Sequence, residues 1–140
     1  MIAFTLLGLH YDIIGNDHES EKYIQEASVI NQGSAETIYL KTAKFLVNMH
    51  ASQLAEIALS RELLSRGRQV EPHLLLAELE IQKRDFAMAS YHIKGALDIK
   101  KDDPNVWSMQ GHLYFIQHVW VSAKDSYETV LSLTKGNIGM

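Results

Sequence analysis

The sequence of 140 residues contains no cysteine and only two prolines. The lack of cysteine excludes a disulfide framework and a thiolate metal site, and it fits an intracellular protein. Because proline is scarce, helices can run without interruption. No stretch of about 20 apolar residues is present, and no basic segment precedes the apolar residues 2–9, so neither a membrane-spanning helix nor a signal peptide is expected. We expect one domain in the cytoplasm or on the cytoskeleton, without a membrane partner.

The chain also lacks a block of basic residues. Its formal net charge is -4, with six basic against eight acidic residues in 1–70 and seven against nine in 71–140. A protein that binds nucleic acid needs a concentrated positive surface to displace counterions. The charge distribution therefore predicts no nucleic-acid partner.

Small and large residues recur at a fixed interval along the chain. Four columns repeat every 34 residues, and their members are Ala43, Ala77 and Gly111; Ala55, Ala89 and Ala123; Tyr39, His73 and Trp107; and Leu59, Ile93 and Tyr127. This period is the length of two helices with their turns, and one such pair must stack on its neighbours to bury its apolar face. The pattern predicts an all-α array of about four repeats, or about eight helices.

We divide the chain into repeats 1–35, 36–69, 70–103 and 104–137, followed by a tail of 138–140. The first repeat is about one residue longer than the others, around residues 31–35. Apolar residues on the last predicted helix have no further helix to cover them, and the first repeat begins at the first residue. These features lead us to expect a fragment of a longer protein that self-associates through uncapped ends.

Local signals give approximate helix boundaries. In the last repeat the apolar spacing predicts helices over about 105–117 and 121–133. Asp17, Ser52 and Asp85 precede or begin the second helix of their repeats and are predicted N-caps.

The small residues predict close helix crossings. Axes that approach to about 8 Å need Ala or Gly at the contact. We expect Ala43, Ala77 and Gly111 on the first helix of each pair to face the alanine column on the second helix. The large members of the other columns would fill the space around this crossing.

The last repeat resembles the tetratricopeptide repeat. Trp107, Gly111, Tyr114, Ala123 and Tyr127 follow one another at spacings of 4, 3, 9 and 4. The resemblance extends over nearly the whole chain, in about four repeats. It implies a right-handed α-solenoid of antiparallel helices that serves as a non-catalytic protein–protein interaction scaffold.

The chain departs from the family pattern at three positions. Gln110 stands where leucine is usual, Glu80 where tyrosine is usual, and Glu62 where a small residue is usual. Some arrays of this family bind a C-terminal carboxylate through basic residues, but the corresponding positions hold Thr5, Leu9, Lys41 and Leu75, of which only Lys41 is basic. Binding of that ligand is not expected.

A narrower resemblance covers one stretch. Residues 103–107, Asp-Pro-Asn-Val-Trp, and 111–114, Gly-His-Leu-Tyr, resemble the C-terminal repeats of a cilia- and flagella-associated protein of the axonemal central apparatus. This resemblance implies a role in axoneme assembly in a cilium or flagellum.

In such an array the first helix of each pair lines the concave surface. The predicted partner-binding residues are Leu6, Leu9, Ile13, Leu40, Lys41, Lys44, Val47, Leu75, Glu78, Ile81, Met109, His112, Phe115 and Ile116. Their apolar character favours a groove for a partner helix or peptide. The alternative is that half of them only pack between adjacent helices. At the level of function, the alternative is a structural spacer or homo-oligomerising segment without a peptide ligand.

No catalytic, cofactor-binding or metal site is predicted. The seven histidines do not follow a metal-binding spacing, and His112 and His118 are six residues apart, which does not place them on one helix face. Trp120 has two interpretations, packing onto its own hairpin or anchoring a partner.

Overall fold

The computed structural model describes residues 1–137, with side chains through residue 135, so the predicted tail 138–140 lies outside the described residues. The described residues form helices only. These are α1 (Ile2–Ile13), α2 (Asp17–Ile30), α3 (Ile38–Asn48), α4 (Ser52–Arg66), α5 (Val70–Gln82), α6 (Phe86–Ile99), α7 (Pro104–Ile116) and α8 (Trp120–Asn137). The chain divides into two compact units, Met1–Gly67 and the part that begins at Arg68. The division into one domain with four repeats stays a prediction.

The first unit contains two helical hairpins. Helix α1 packs on α2, α3 packs on α4, and the hairpins meet through α1 and α3. Their interior is apolar, with Leu9, Leu46, Ala55 and Leu59 buried. Burial of such side chains is the main source of stability in a helix-pair array.

The second unit is built in the same way from α5 with α6 and α7 with α8, and here α6 also packs on α7. Its core is formed by Ala77, Ile81, Ala89, Ile93, Ala96, Val106 and Leu113. Helices α5 and α7 contact each other, so the unit presents one surface made by the first helix of each pair.

The turn inside each hairpin has the same backbone geometry. The residues with positive φ at these turns are Gly15 (88°), His50 (58°), Arg84 (63°) and His118 (63°). At the α3–α4 turn the Ala51 N–H donates to the Leu46 carbonyl at 2.9 Å, and the His50 N–H donates to the Val47 carbonyl at 3.0 Å. This pair of bonds is a Schellman motif. The last three of the positive-φ residues follow one another at the 34-residue interval, although their side chains share no pattern that predicts it.

The turn geometry corrects two predicted caps. Asn16, not Asp17, caps α2 and accepts from the Glu19 N–H at 3.2 Å, and Ala51 rather than Ser52 occupies the N-cap of α4. The cap falls one residue earlier because the residue after the positive-φ position already starts the next helix. Asp85 is confirmed as a cap, since its carboxylate accepts from the Met88 N–H.

The recurring small residues are buried and lie close to the second helix of their hairpin. A Cβ built at Gly111 would lie 2.7 Å from Cε1 of Tyr127, and one at Gly8 would lie 2.5 Å from Cδ1 of Ile24. The small residue of the first helix therefore lies against the large column of the second helix. At Gly8 it also contacts the alanine-column position, since the Ser20 hydroxyl donates to the Gly8 carbonyl at 2.7 Å. Both alanine columns are buried beside this contact.

Candidate partner-binding faces

In the second unit the predicted residues fall into a buried and an accessible group. Ile81 belongs to the core, and Met109 and Ile116 are partly buried against it. Leu75 and Glu78 are half-buried. Fewer residues of the predicted groove are therefore accessible in this unit than the sequence predicted.

Phe115 and His112 are the exposed members of that set in the second unit. The Phe115 side chain is 54% exposed, and its ring meets the edge of the Trp120 ring at a centroid distance of 5.3 Å. Trp120 is 55% exposed, and its ring also meets the edge of the His118 ring at a centroid distance of 5.1 Å. We call Phe115, His118, Val119 and Trp120 the aromatic patch.

The aromatic patch exists because of the turn between α7 and α8. Helix α7 ends at Ile116, His118 takes a positive φ, and α8 begins at Trp120. This reversal brings Trp120 back against the last turn of α7. The Trp120 ring therefore packs on its own hairpin and still exposes more than half of its surface, and its role as an anchor for a partner stays a prediction.

In the first unit the predicted residues are mostly covered. Leu9, Leu40 and Val47 are buried, Leu6 is half-buried, and Ile13 is 54% exposed. The buried side chains support the face from below and offer a ligand no surface.

The two predicted lysines of the first unit have partners within the chain. The Lys41 ammonium donates to Oδ1 of Asn31 at 2.6 Å, and Lys44 forms an ion pair with Glu36 at 2.5 Å. The Glu36 carboxylate therefore partly neutralises the charge of Lys44, whereas Lys41 keeps its charge and has a neutral hydrogen-bond partner.

Two side chains have shifted acidities. Burial raises the pKa of Tyr39; the nearby Arg61 charge lowers this pKa, and the Asp12 and Glu62 carboxylates raise it. Burial lowers the pKa of His73, whose ring lies 6.1 Å from that of His92. Tyr39 is consequently a neutral phenol at neutral pH, and His73 favours its neutral form.

No three His, Asp or Glu side chains within the described part of the chain lie close enough to share a metal ion. No helix within it is both long and apolar enough to cross a bilayer.

Helix pairs joined by tight turns, with small residues at the crossings, make this chain a tetratricopeptide-repeat array, which confirms the predicted all-α solenoid class. The fold is similar to the crystal structure of MamA, with a TM-score of 0.67 and 17% identity over 98% of this chain and 80% of that one. It is also similar to MamA 41-end from Desulfovibrio magneticus RS-1, with a TM-score of 0.66 and 10% identity over 95% of this chain and 75% of that one.

Two curated proteins, both of which contain such repeats, are similar in sequence. Human Cilia- and flagella-associated protein 70 is 37% identical over 98 residues, or 69% of this chain. Superkiller protein 3 of Schizosaccharomyces pombe (strain 972 / ATCC 24843) is 29% identical over 132 residues, or 89% of this chain. The chain spans 9% of the length of each of these relatives. No family model matches the sequence.

Proposed function

We propose that this chain is a non-catalytic scaffold that binds a partner helix or peptide through an apolar face of its repeats. Arrays of this kind use preordered helices as binding surfaces. Because the helices are already ordered, binding loses little conformational entropy.

The observation that supports this proposal is the aromatic patch beside the α5–α7 face. Exposed Trp and Phe side chains that are held in place by each other lose little side-chain entropy on binding, and Trp is enriched among interface hot spots. Phe115 belongs to both the predicted groove and the patch, so a partner seated on α7 would meet it first. Leu75 on α5 would supply the neighbouring apolar contact.

We further propose that the partner belongs to the axoneme of a cilium or flagellum. This proposal follows from the similarity to Cilia- and flagella-associated protein 70, in a stretch that covers 69% of this chain. It places the chain in the cytoplasm, on the cytoskeleton.

The groove is tested by Phe115→Glu and by the double variant Leu75→Glu, Phe115→Glu. The expected result is loss of the partner from a pull-down in ciliated cells, with an unchanged oligomeric state. Tyr91→Glu is the matched control, because Tyr91 is 66% exposed on α6 of the same unit but does not belong to the face. Equal recovery of the partner by the Phe115 variants and the control would reject the groove.

The alternative function, a homo-oligomerising segment, has an observation of its own. Val121, Tyr127 and Leu131 on α8 are 73%, 40% and 60% exposed. Tyr127 and Leu131 are four residues apart and share a face of the helix. Under this alternative no partner binds through the groove, so the Leu75 and Phe115 variants behave as the wild type in the pull-down, and self-association depends on α8.

A further inference from the structure

The first unit contains an opening between α2 and α3. Residues 31–37 join α2 to α3, whereas only residues 100–103 join α6 to α7. Helix α6 packs on α7, but α2 has no comparable packing on α3. The longer connection thus leaves the α2 side of α3 uncovered.

The longer connection is held in one conformation by its own hydrogen bonds. The Asn31 side-chain amide donates to the Glu36 carbonyl at 2.9 Å and accepts from the Lys41 ammonium at 2.6 Å. The Ser34 N–H donates to the Asn31 carbonyl at 3.1 Å. The opening is therefore bordered by a connection that has a defined conformation.

Two clefts occupy this opening. One has a volume of about 440 Å³ and is lined by residues of all four helices of the unit, and the other has about 270 Å³ and lies between α2, α3 and α4. Ile24 and Tyr39 line both, so their side chains form a shared apolar floor. Burial and two nearby carboxylates raise the pKa of Tyr39, and the ring at this floor is uncharged.

The charge around the larger cleft is negative. Asp12, Glu21 and Arg61 line it, and the Arg61 guanidinium already donates to the Asp12 carboxylate. Glu21, an exposed residue of α2, also lines this cleft.

A further carboxylate lies behind the floor. Glu62 is buried; its Oε1 accepts from the Thr37 hydroxyl at 2.5 Å, and its Oε2 has no hydrogen-bond partner among the described residues. Thr37 lines the smaller cleft, so this charge lies next to the shared floor. An apolar floor with surplus negative charge suits a long cationic side chain.

We propose that the α2–α3 cleft binds an arginine side chain carried by a protein partner. The methylene stem would lie against Ile24 and the Tyr39 ring, and the guanidinium would meet the carboxylates of Glu21 and Asp12. An arginine suits this place better than a lysine because its planar head stacks on an aromatic ring and donates in parallel to a carboxylate. The cleft lies within the first unit and is separate from the aromatic patch.

The probe is an acetylated and amidated peptide, Ala-Leu-Arg-Leu-Ala, titrated into the full chain while backbone amide shifts are recorded by NMR. The expected shifts are concentrated at Gly8, Gln25 and Tyr39. The same peptide with citrulline, the neutral isostere of arginine, should bind about tenfold more weakly because the charge-assisted bonds are lost.

Variants of α2 provide the matched comparison. Glu21→Lys should weaken peptide binding by about tenfold or more, and Glu21→Gln by less, because only the former adds repulsion. Glu26→Lys makes the same charge change on the same helix at an exposed position that lines neither cleft, and it should leave binding unchanged. Circular dichroism establishes that each variant is folded.

Several outcomes would overturn the proposal. These are equal binding of the citrulline peptide, an equal loss in Glu26→Lys, shifts confined to the second unit, or no binding at all. Amide shifts at the cleft that depend on protein concentration without peptide would assign it to a second copy of the chain, which also overturns it.

Discussion

At the scale of single residues, close helix packing depends on positions where glycine provides no side chain. Gly8 and Gly111 lie under Ile24 and Tyr127, so even a methyl group would displace a neighbour. Gly95, which is also helical, has its nearest neighbour, the His73 ring, at an ordinary contact distance of 3.4 Å.

We predict opposite effects of the same substitution at these sites. Gly8→Ala and Gly111→Ala should lower the free energy of unfolding by about 1–3 kcal/mol through overpacking. Gly95→Ala should be neutral or raise it by up to about 1 kcal/mol, because alanine is the better helix former. Urea unfolding of the three variants measures this, and a loss of stability in Gly95→Ala equal to that in Gly111→Ala would contradict it.

His73 should make the stability of the chain depend on pH. Since burial lowers its pKa below the usual 6.5 in the folded state, the unfolded chain binds more protons at a pH between the two values. The histidine contribution is therefore complete above pH 6.5 and is lost as the pH falls toward the lowered pKa. Urea unfolding between about pH 5.5 and 7.5 should show a weaker pH dependence in His73→Gln than in the wild type. His18→Gln, at an exposed position of α2, should leave the dependence unchanged.

At the scale of helices and turns, the four hairpins share one turn conformation, although its positive-φ position holds glycine, arginine or histidine. Only Gly15 among them is the residue that a positive φ favours. His50, Arg84 and His118 hold the same conformation because the Schellman bonds and the packed helices impose it. The sequence period located the helices, but it did not reveal these turn residues.

His50→Gly should therefore stabilise the chain. Removing the Cβ at a φ of 58° relieves the left-handed strain, and we expect a gain of about 0.5–1 kcal/mol. Gln53→Gly, three residues later and exposed inside α4, should cost about 1 kcal/mol. Thermal unfolding measures the change in stability of each variant. A change in the same direction for both variants would reject the explanation.

At the scale of the whole molecule, stability in a repeat array is close to a sum over repeats and their neighbours. Apolar side chains that remain exposed on α8 are then available to another chain. If self-association uses this helix, Leu131→Glu should shift the sedimenting species toward the monomer at high protein concentration. Lys124→Glu, on the exposed surface of the same helix, should not. Analytical ultracentrifugation compares the two, and an unchanged distribution in Leu131→Glu would exclude α8 as the contact.

Much of the fold could be predicted because the period of small and large residues reflects helix packing directly. The helix pairs, the burial of both small columns and the Asp85 cap are confirmed by the structure. The caps of α2 and α4 were misplaced by one residue, since a tight turn sets the cap and the turn has no side-chain signature. Tyr127 fills the space around Gly111 as expected, whereas the facing of Gly111 and the alanine column stays a prediction because it depends on helix rotation.

The candidate site was less predictable from the sequence. Helical position alone put Leu9, Leu40, Val47 and Ile81 on the partner-binding face, yet these side chains are buried. Exposure depends on how adjacent helices close over a residue, and position along a helix does not contain that information.

By itself, the sequence determined that this chain is a helical repeat array, because small residues at a regular interval indicate a helix crossing that recurs in every repeat. Only the tertiary structure decided which apolar side chains remain at the surface and where α2 stands away from α3. These features depend on the length of one connection and on the rotation of each helix, and both emerge only when all the elements pack together.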